Sequence, residues 1–183
     1  VRDFAPGDRI TFHSTVYCGD CFFCRSGRVL LCDNRRVLGV SCGEYRRHGC
    51  FAEYVSIPQR IAYKIPAALS FEHAAMVEAV SIAVHAAGRV PALLGRSAAV
   101  IGAGMIGQLI VQTLRAAGCG TLIATDVDAS RLERARAAGA DATIDAASPD
   151  ASSRMLDLTE GRGADLVFEA VGAPESVASA IAA

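Results

Sequence analysis

The chain lacks any run of about twenty apolar residues, the length a helix needs to cross a bilayer, because Gly, Glu, His or Arg breaks each long apolar stretch. It also lacks a secretory leader. The opening VRDFAPGDRI is interrupted by Arg2, Asp3, Asp8 and Arg9, and no apolar h-region follows. These absences point to a cytoplasmic protein with no membrane partner. There is no initiator Met, so a processed protein or a fragment is expected. Net charge is scarce, only −1 over 183 residues, and neither internal repeats nor low-complexity tracts occur. What charge there is divides unevenly. Residues 1–66 carry ten Lys/Arg against six Asp/Glu, and residues 67–183 carry eight against thirteen. That asymmetry favours two modules over a nucleic-acid surface. Arg25, Arg28, Arg35, Arg36, Arg46 and Arg47 read as a solvated loop surface, so no nucleic-acid partner is expected.

What is present begins as short strands and turns. RITFH (9–13), FAEYVSI (51–57) and IAYKI (61–65) read as strands, and Pro58 and Pro66 stop the last two. After Pro66 the texture changes. Ser70 caps a helix, and AAMVEAVSIAVHAA (74–87) is apolar enough for a buried one. Strand-like SAAVIGAG (97–104), TLIATD (121–126), DATID (141–145) and ADLVFEAVG (164–172) then alternate with helical patterns at 105–118, 129–139, 151–159 and 176–183. Such alternation means βαβ units and a parallel sheet. The fold class is therefore α/β, with a domain change near residue 67.

Two motifs carry chemistry. Cys18, Cys21, Cys24 and Cys32 form C-x2-C-x2-C-x7-C within one loop. Four thiolates suit tetrahedral Zn2+, and a set with no open position suits a structural rather than a catalytic site. An iron–sulfur run of the C-x2-C-x2-C-x3-C-P kind fits less well, since the last spacing is seven and Asp33 follows. Disulfides fit less well without a leader and with seven cysteines. Cys42, Cys50 and Cys119 lie outside the pattern and read as small buried residues.

Gly102-Ala-Gly104-Met105-Ile106-Gly107 is a GxGxxG between a strand and a helix, the context a dinucleotide turn requires. Asp126 ends the next strand, nineteen residues after Gly107, where a carboxylate accepts hydrogen bonds from the ribose hydroxyls of NAD and repels a 2′-phosphate. NAD is thus expected over NADP. Arg131 either packs on adenine or is an exposed helix arginine. Glu78, inside the apolar helix, needs a compensating partner. It reads as a metal ligand or proton handler, with Ser81 and His85 on its face, or else as a glutamate reaching solvent. His13, His48 and His73 read as structural or surface residues.

APGDRI, the four-cysteine loop, GCFAEYVSIP, LSFEHAAMVEAVSIAVHA, VIGAGMIG and TDVDASRLERARAAGAD stand in an order that resembles the zinc-dependent medium-chain dehydrogenases, nearest to their polyol and threonine branch. The resemblance implies a GroES-like domain over 1–66 and a linking helix with a Rossmann domain over 67–183. It implies structural zinc on Cys18, Cys21, Cys24 and Cys32, NAD on Gly102, Gly104, Met105, Ile106, Gly107 and Asp126, and Val171 in a loop approaching the nicotinamide side. Glu78 matches the family glutamate at a catalytic zinc, bound directly or through water, although Ala79 stands where the family usually has Pro. The implied reaction is hydride transfer between a secondary alcohol and NAD, in a dimer or tetramer. The alternatives are an NADPH-dependent aldehyde or ketone reductase and a non-catalytic zinc- and nucleotide-binding module. The family's other catalytic-zinc ligands would lie upstream of Val1, so a half-length piece, inactive alone, is expected.

Overall fold

In the computed structural model, which describes residues 3–40 and 42–183, the turn at Pro6-Gly7 delivers the chain into strand β1 (Ile10–Phe12). There follow β2 (Thr15–Val16), helix α1 (Phe22–Arg25), β3 (Arg36–Leu38), β4 (Arg46–Arg47), β5 (Ala62–Lys64) and helix α2 (Phe71–Ala75). β1 pairs antiparallel with β5, with Ile10 opposite Lys64. β2, β3 and β4 make a second small sheet in that order. Val16, Leu38 and Ile61 form a modest core, with Phe12, Tyr17, Cys50 and Ile57 packed around it. The stretch 51–57, expected as a strand, is irregular, and Phe51, Tyr54 and Val55 are exposed. Its residues favour strand, but a strand needs a partner ladder, and none is formed there.

α2 is capped as expected: the Ser70 hydroxyl accepts the His73 N–H at 3.2 Å. Arg9 ties this segment back to β1. Its guanidinium donates to the carbonyls of Ala67 (2.9 Å) and Leu69 (2.6 Å) and lies 4.3 Å from the centre of the Phe71 ring. The first compact unit accordingly runs to Met76, ten residues past the change of texture at Pro66, and the second begins at Val77.

The second unit opens with α3 (Val77–Gly88) and continues β6 (Ala98–Ile101), α4 (Met105–Ala116), β7 (Leu122–Asp126), α5 (Ala129–Ala137), β8 (Ala142–Asp145), α6 (Ala151–Leu158), β9 (Leu166–Glu169) and α7 (Pro174–Ala182). Its four strands are all parallel, in the order β8-β7-β6-β9. Strands buried on both faces read as continuous apolar runs, and Ala98–Ile101 and Leu122–Asp126 are buried throughout. Ala98 and Val100 meet Ile110, Val111 and Leu114 of α4 on one face. Ala99 and Ile101 meet Met155 of α6 on the other. Succession runs outward from β6 through β7 to β8, then returns to β9 on the opposite side. The switch point therefore lies at the C-terminal ends of β6 and its neighbours, where open α/β sheets bind ligands.

The helix expected over 74–87 is interrupted at Met76, and it is not buried all round. α3 buries only Ala79, Ala83 and Ala87, while Val77, Val80, Ile82 and Val84 are exposed. Small residues four apart make one flat seam, and Ala83 and Ala87 share a cluster with Ile110, Val111 and Leu114 of α4. Ala83 is 0% and Val84 54% exposed. Ala83→Leu should therefore overpack the seam and lower the stability of the second unit by about 1–3 kcal/mol. Val84→Leu should stay within about 0.5 kcal/mol of the parent. Urea denaturation of the two variants checks the contrast.

Candidate functional site

The glycine turn lies at the switch point. A Cβ on Gly107 would come within 1.9 Å of the Gly102 carbonyl oxygen, so only glycine lets α4 start this close to β6. Gly102 takes φ +92°, and a side chain there would strike Val171 Cγ2 at 2.5 Å. Gly104 differs: nothing lies within 4 Å of an added Cβ. It also caps α4 without a side-chain bond, so no capping side chain occupies the first-turn N–H groups. Open space beside a helix N-terminus is what a pyrophosphate needs. Met105 is exposed at this opening, whereas the side chain of Ile106 packs against the core, so Ile106 can serve only through its N–H.

Asp126 ends β7 and is 7% exposed. Its carboxylate accepts the N–H of Ala103 (2.8 Å) from the glycine turn and the N–H of Asp128 (3.0 Å) from its own loop. Arg131 in α5 brings Nη1 to 3.7 Å from Asp126 and Nε to 3.8 Å from Asp128. It is an exposed helix arginine that stands beside both carboxylates. A cleft of about 500 Å3 opens here, lined among others by Gly102, Asp126, Val127, Arg131, Ser148 and Val171. The structure brings together, around this one opening, Gly102, Asp126, Arg131 and Val171, with Gly104 and Gly107 outside its lining.

Two residues that the sequence did not single out brace the backbone here, Gln108 at the glycine turn and Glu169 in the loop after β9. The Gln108 amide donates to the carbonyls of Ala103 and Arg131, both at 2.9 Å, joining the turn to α5. Glu169, at the tip of β9, accepts the N–H groups of Val171 and Gly172 and the hydroxyl of Ser176. The N–H of Gly172, then Ser176 and the N–H of Val171, hold its carboxyl below the usual carboxylate range. A glutamate closing a strand just before a glycine was the available signal.

The cysteine loop forms its own site in the first unit. The Sγ atoms of Cys18, Cys21, Cys24 and Cys32 all lie within 4.8 Å of one another, with Cys18–Cys32 at 3.5 Å and Cys18–Cys24 at 3.9 Å. Four sulfurs at about 2.3 Å from a tetrahedral zinc stand about 3.8 Å apart, so the thiols fit that ion with little movement. The backbone N–H groups of Cys24 and Asp33 draw the Cys21 thiol down to about 7, while loss of water pushes Cys24 up to about 12. Around the loop, Arg28 lies over Phe22 and Phe23 and Arg35 over Tyr45, so these two arginines cover aromatic rings and are not simply solvated. Of the outlying cysteines, Cys119 is buried, with its thiol directed at the Arg96 carbonyl (3.0 Å), and Cys50 is half-buried. Cys42 is exposed, against expectation, because its short helical turn packs on no core.

Glu78 lies in the first turn of α3 and is exposed, so the cost of burying its charge does not arise. The Ser81 hydroxyl bonds the Glu78 backbone carbonyl (2.6 Å), not the carboxylate. His85 is also exposed. His13 has a structural role, its Nδ1 accepting the Thr15 N–H at 3.1 Å.

One equivalent of Zn2+ per chain is expected at the four thiolates. Cys24→Ser should weaken it by roughly tenfold or more, and affinity should fall as the pH is lowered, because the ligands must shed protons to bind. Competition against a chromophoric chelator at several pH values measures both.

Comparison with known proteins follows the same division. A family model described as "Alcohol dehydrogenase GroES-like domain" matches residues 1–67, and one described as "Zinc-binding dehydrogenase" matches residues 106–183. A sorbitol dehydrogenase of Bacillus subtilis is 35% identical over 182 residues, covering 100% of this chain and 50% of the relative. An L-threonine 3-dehydrogenase of Klebsiella pneumoniae is 36% identical over 179 residues, covering 98% and 51%. The crystal structure of a putative zinc-binding dehydrogenase from Sinorhizobium meliloti, bound to NADP, superposes with a TM-score of 0.86 at 36% identity over 100% of this chain and 52% of that one. The chain spans about half the length of the curated relatives it matches. With both family domains in order along one α/β chain, it belongs to the zinc-dependent medium-chain dehydrogenases.

Proposed function

We propose that this chain serves an NAD-dependent oxidoreductase of secondary alcohols, a polyol, sugar alcohol or amino alcohol, with residues 1–66 as part of its GroES-like domain and 67–183 as linking helix and cofactor domain. The observation that carries this reading is the glycine turn at the start of α4, whose Ala103 N–H is bonded to the Asp126 carboxylate, beside a cleft that Gly102 and Asp126 line. Zinc and NAD supply, when bound, Lewis acidity toward an alcohol oxygen and a hydride acceptor. The residues of this chain do the rest. The N–H groups of the first turn of α4 receive the pyrophosphate, Asp126 accepts the adenosine ribose hydroxyls, and Arg131 covers adenine. Val171 borders the nicotinamide side. Cys18, Cys21, Cys24 and Cys32 hold a structural zinc that shapes their loop. Glu78 attends a catalytic zinc, directly or through water. The sorbitol and threonine dehydrogenases among the relatives support the choice of alcohol class. The working protein is proposed as a cytoplasmic dimer or tetramer, and no helix among the described residues is long and apolar enough to cross a membrane.

An NADPH-dependent aldehyde or ketone reductase is the second reading, favoured by the NADP bound to the Sinorhizobium meliloti structure. Asp126 argues against it, since a carboxylate repels a 2′-phosphate. Calorimetric titration of the chain should give at least tenfold tighter binding of NAD than of NADP. Asp126→Ser should narrow that ratio, and an NADP preference in the unmutated chain would refute the first reading. In the full-length enzyme, Glu78→Ala should reduce turnover more than NAD affinity, and a loss of NAD binding alone would remove Glu78 from the metal.

A further inference from the structure

Beside β6, on the side away from β7, strand β9 ends on Glu169, which stands opposite Ile101 in the parallel register. Its Oε1 accepts three donors: the N–H of Val171 at 2.8 Å, the N–H of Gly172 at 2.9 Å and the hydroxyl of Ser176 at 2.7 Å. Oε2 lies 3.2 Å from the Gly172 nitrogen. The Ser176 oxygen in turn accepts the Ala173 N–H at 3.2 Å. One carboxylate therefore closes the whole connection from β9 to α7, a loop in which Gly172 takes φ +83°.

Only Ser176 belongs to α7, so the carboxylate is not chiefly a helix cap. Its other two donors are loop N–H groups, and drawing them onto Oε1 decides where Val171 stands. Val171 Cγ2 lies 2.5 Å from the place a Gly102 Cβ would occupy, and the Ala170 carbonyl carbon and oxygen lie at 3.3 Å. The loop and the glycine turn thus share one wall. Asp126 and Arg131 approach the same cleft from the other side of β6, on β7 and α5.

From this arrangement we infer that Glu169 is a positioning residue for the dinucleotide, acting through Val171 and Gly172 on the end of the cleft remote from Asp126. The inference rests on the dinucleotide reading of that cleft. It assigns the two ends of the ligand to different supports. The adenosine end depends on Asp126 and Arg131, and the part beyond the pyrophosphate depends on a loop whose shape a carboxylate sets from behind. A neutral amide in place of the carboxylate keeps its size and one acceptor oxygen but turns an N–H2 group toward donors.

The test is a pair of calorimetric titrations, NAD and AMP, on the unmutated chain and on Glu169→Gln, with thermal melts of both. NAD affinity should fall by roughly tenfold, the scale of one lost charge-assisted hydrogen bond, while AMP affinity stays within about twofold. Ser176→Ala, which removes one donor and leaves the carboxylate, should shift NAD binding in the same direction by a smaller factor, and it carries the test if Glu169→Gln gives no cooperative melt. An equal loss for NAD and AMP would reduce Glu169 to general support of the fold and overturn the inference. Unchanged NAD binding in both variants would overturn it as well. Failure of the unmutated chain to bind either nucleotide would instead sink the dinucleotide reading, a result distinct from failure at Glu169.

Discussion

The contact between the backbone of Gly107 and the carbonyl of Gly102 is the constraint on which the second unit depends. With 1.9 Å available for a Cβ, no other residue lets α4 spring from β6 at that distance. The proximity has several consequences. It brings the Ala103 N–H onto Asp126, linking β6 to β7 through a side chain. It lets Gln108 reach back to the Ala103 carbonyl and across to α5. It leaves Gly104 facing a gap.

The first unit is organised on a different principle. Its apolar core is small, centred on Val16, Leu38 and Ile61, and its strands are two or three residues long. Segments so short cannot bury enough surface to hold a polar loop. Sulfur geometry and arginines over aromatic rings do that work between residues 18 and 45. One half of the chain is thus specified by packing of parallel strands, the other by a few local fastenings.

That difference explains what the sequence disclosed. Doubly buried strands and 3.6-period helices leave strong patterns, so β6 to β9 and α4 to α7 were legible, as were the glycine turn and Asp126. The cysteine spacing was equally plain, because four thiols in one loop need no tertiary knowledge. FAEYVSI misled because strand propensity says nothing about whether a ladder stands alongside. The helix over 74–87 misled because its alanines, not its valines, form the buried seam. Arg9 could not be foreseen as the anchor of 67–71, since its partners are carbonyls nearly sixty residues away. Glu169 escaped notice for a similar reason: two of its three donors are backbone N–H groups of the loop, and backbone leaves no trace in composition.

The twofold backbone anchoring of Asp126 has an evolutionary implication. A carboxylate whose one task was the proposed contact with a ribose would be free to drift as cofactor demand changes. Here the same carboxylate also satisfies the N–H groups of Ala103 and Asp128. A lineage exchanging it to admit a phosphate would unpair two donors, of which the buried Ala103 N–H alone costs about 1–3 kcal/mol. Such a switch has to arrive together with a second change that gives those donors another acceptor. Drift at this position is therefore coupled, and single-step intermediates are disfavoured by folding before substrate chemistry is ever put to selection.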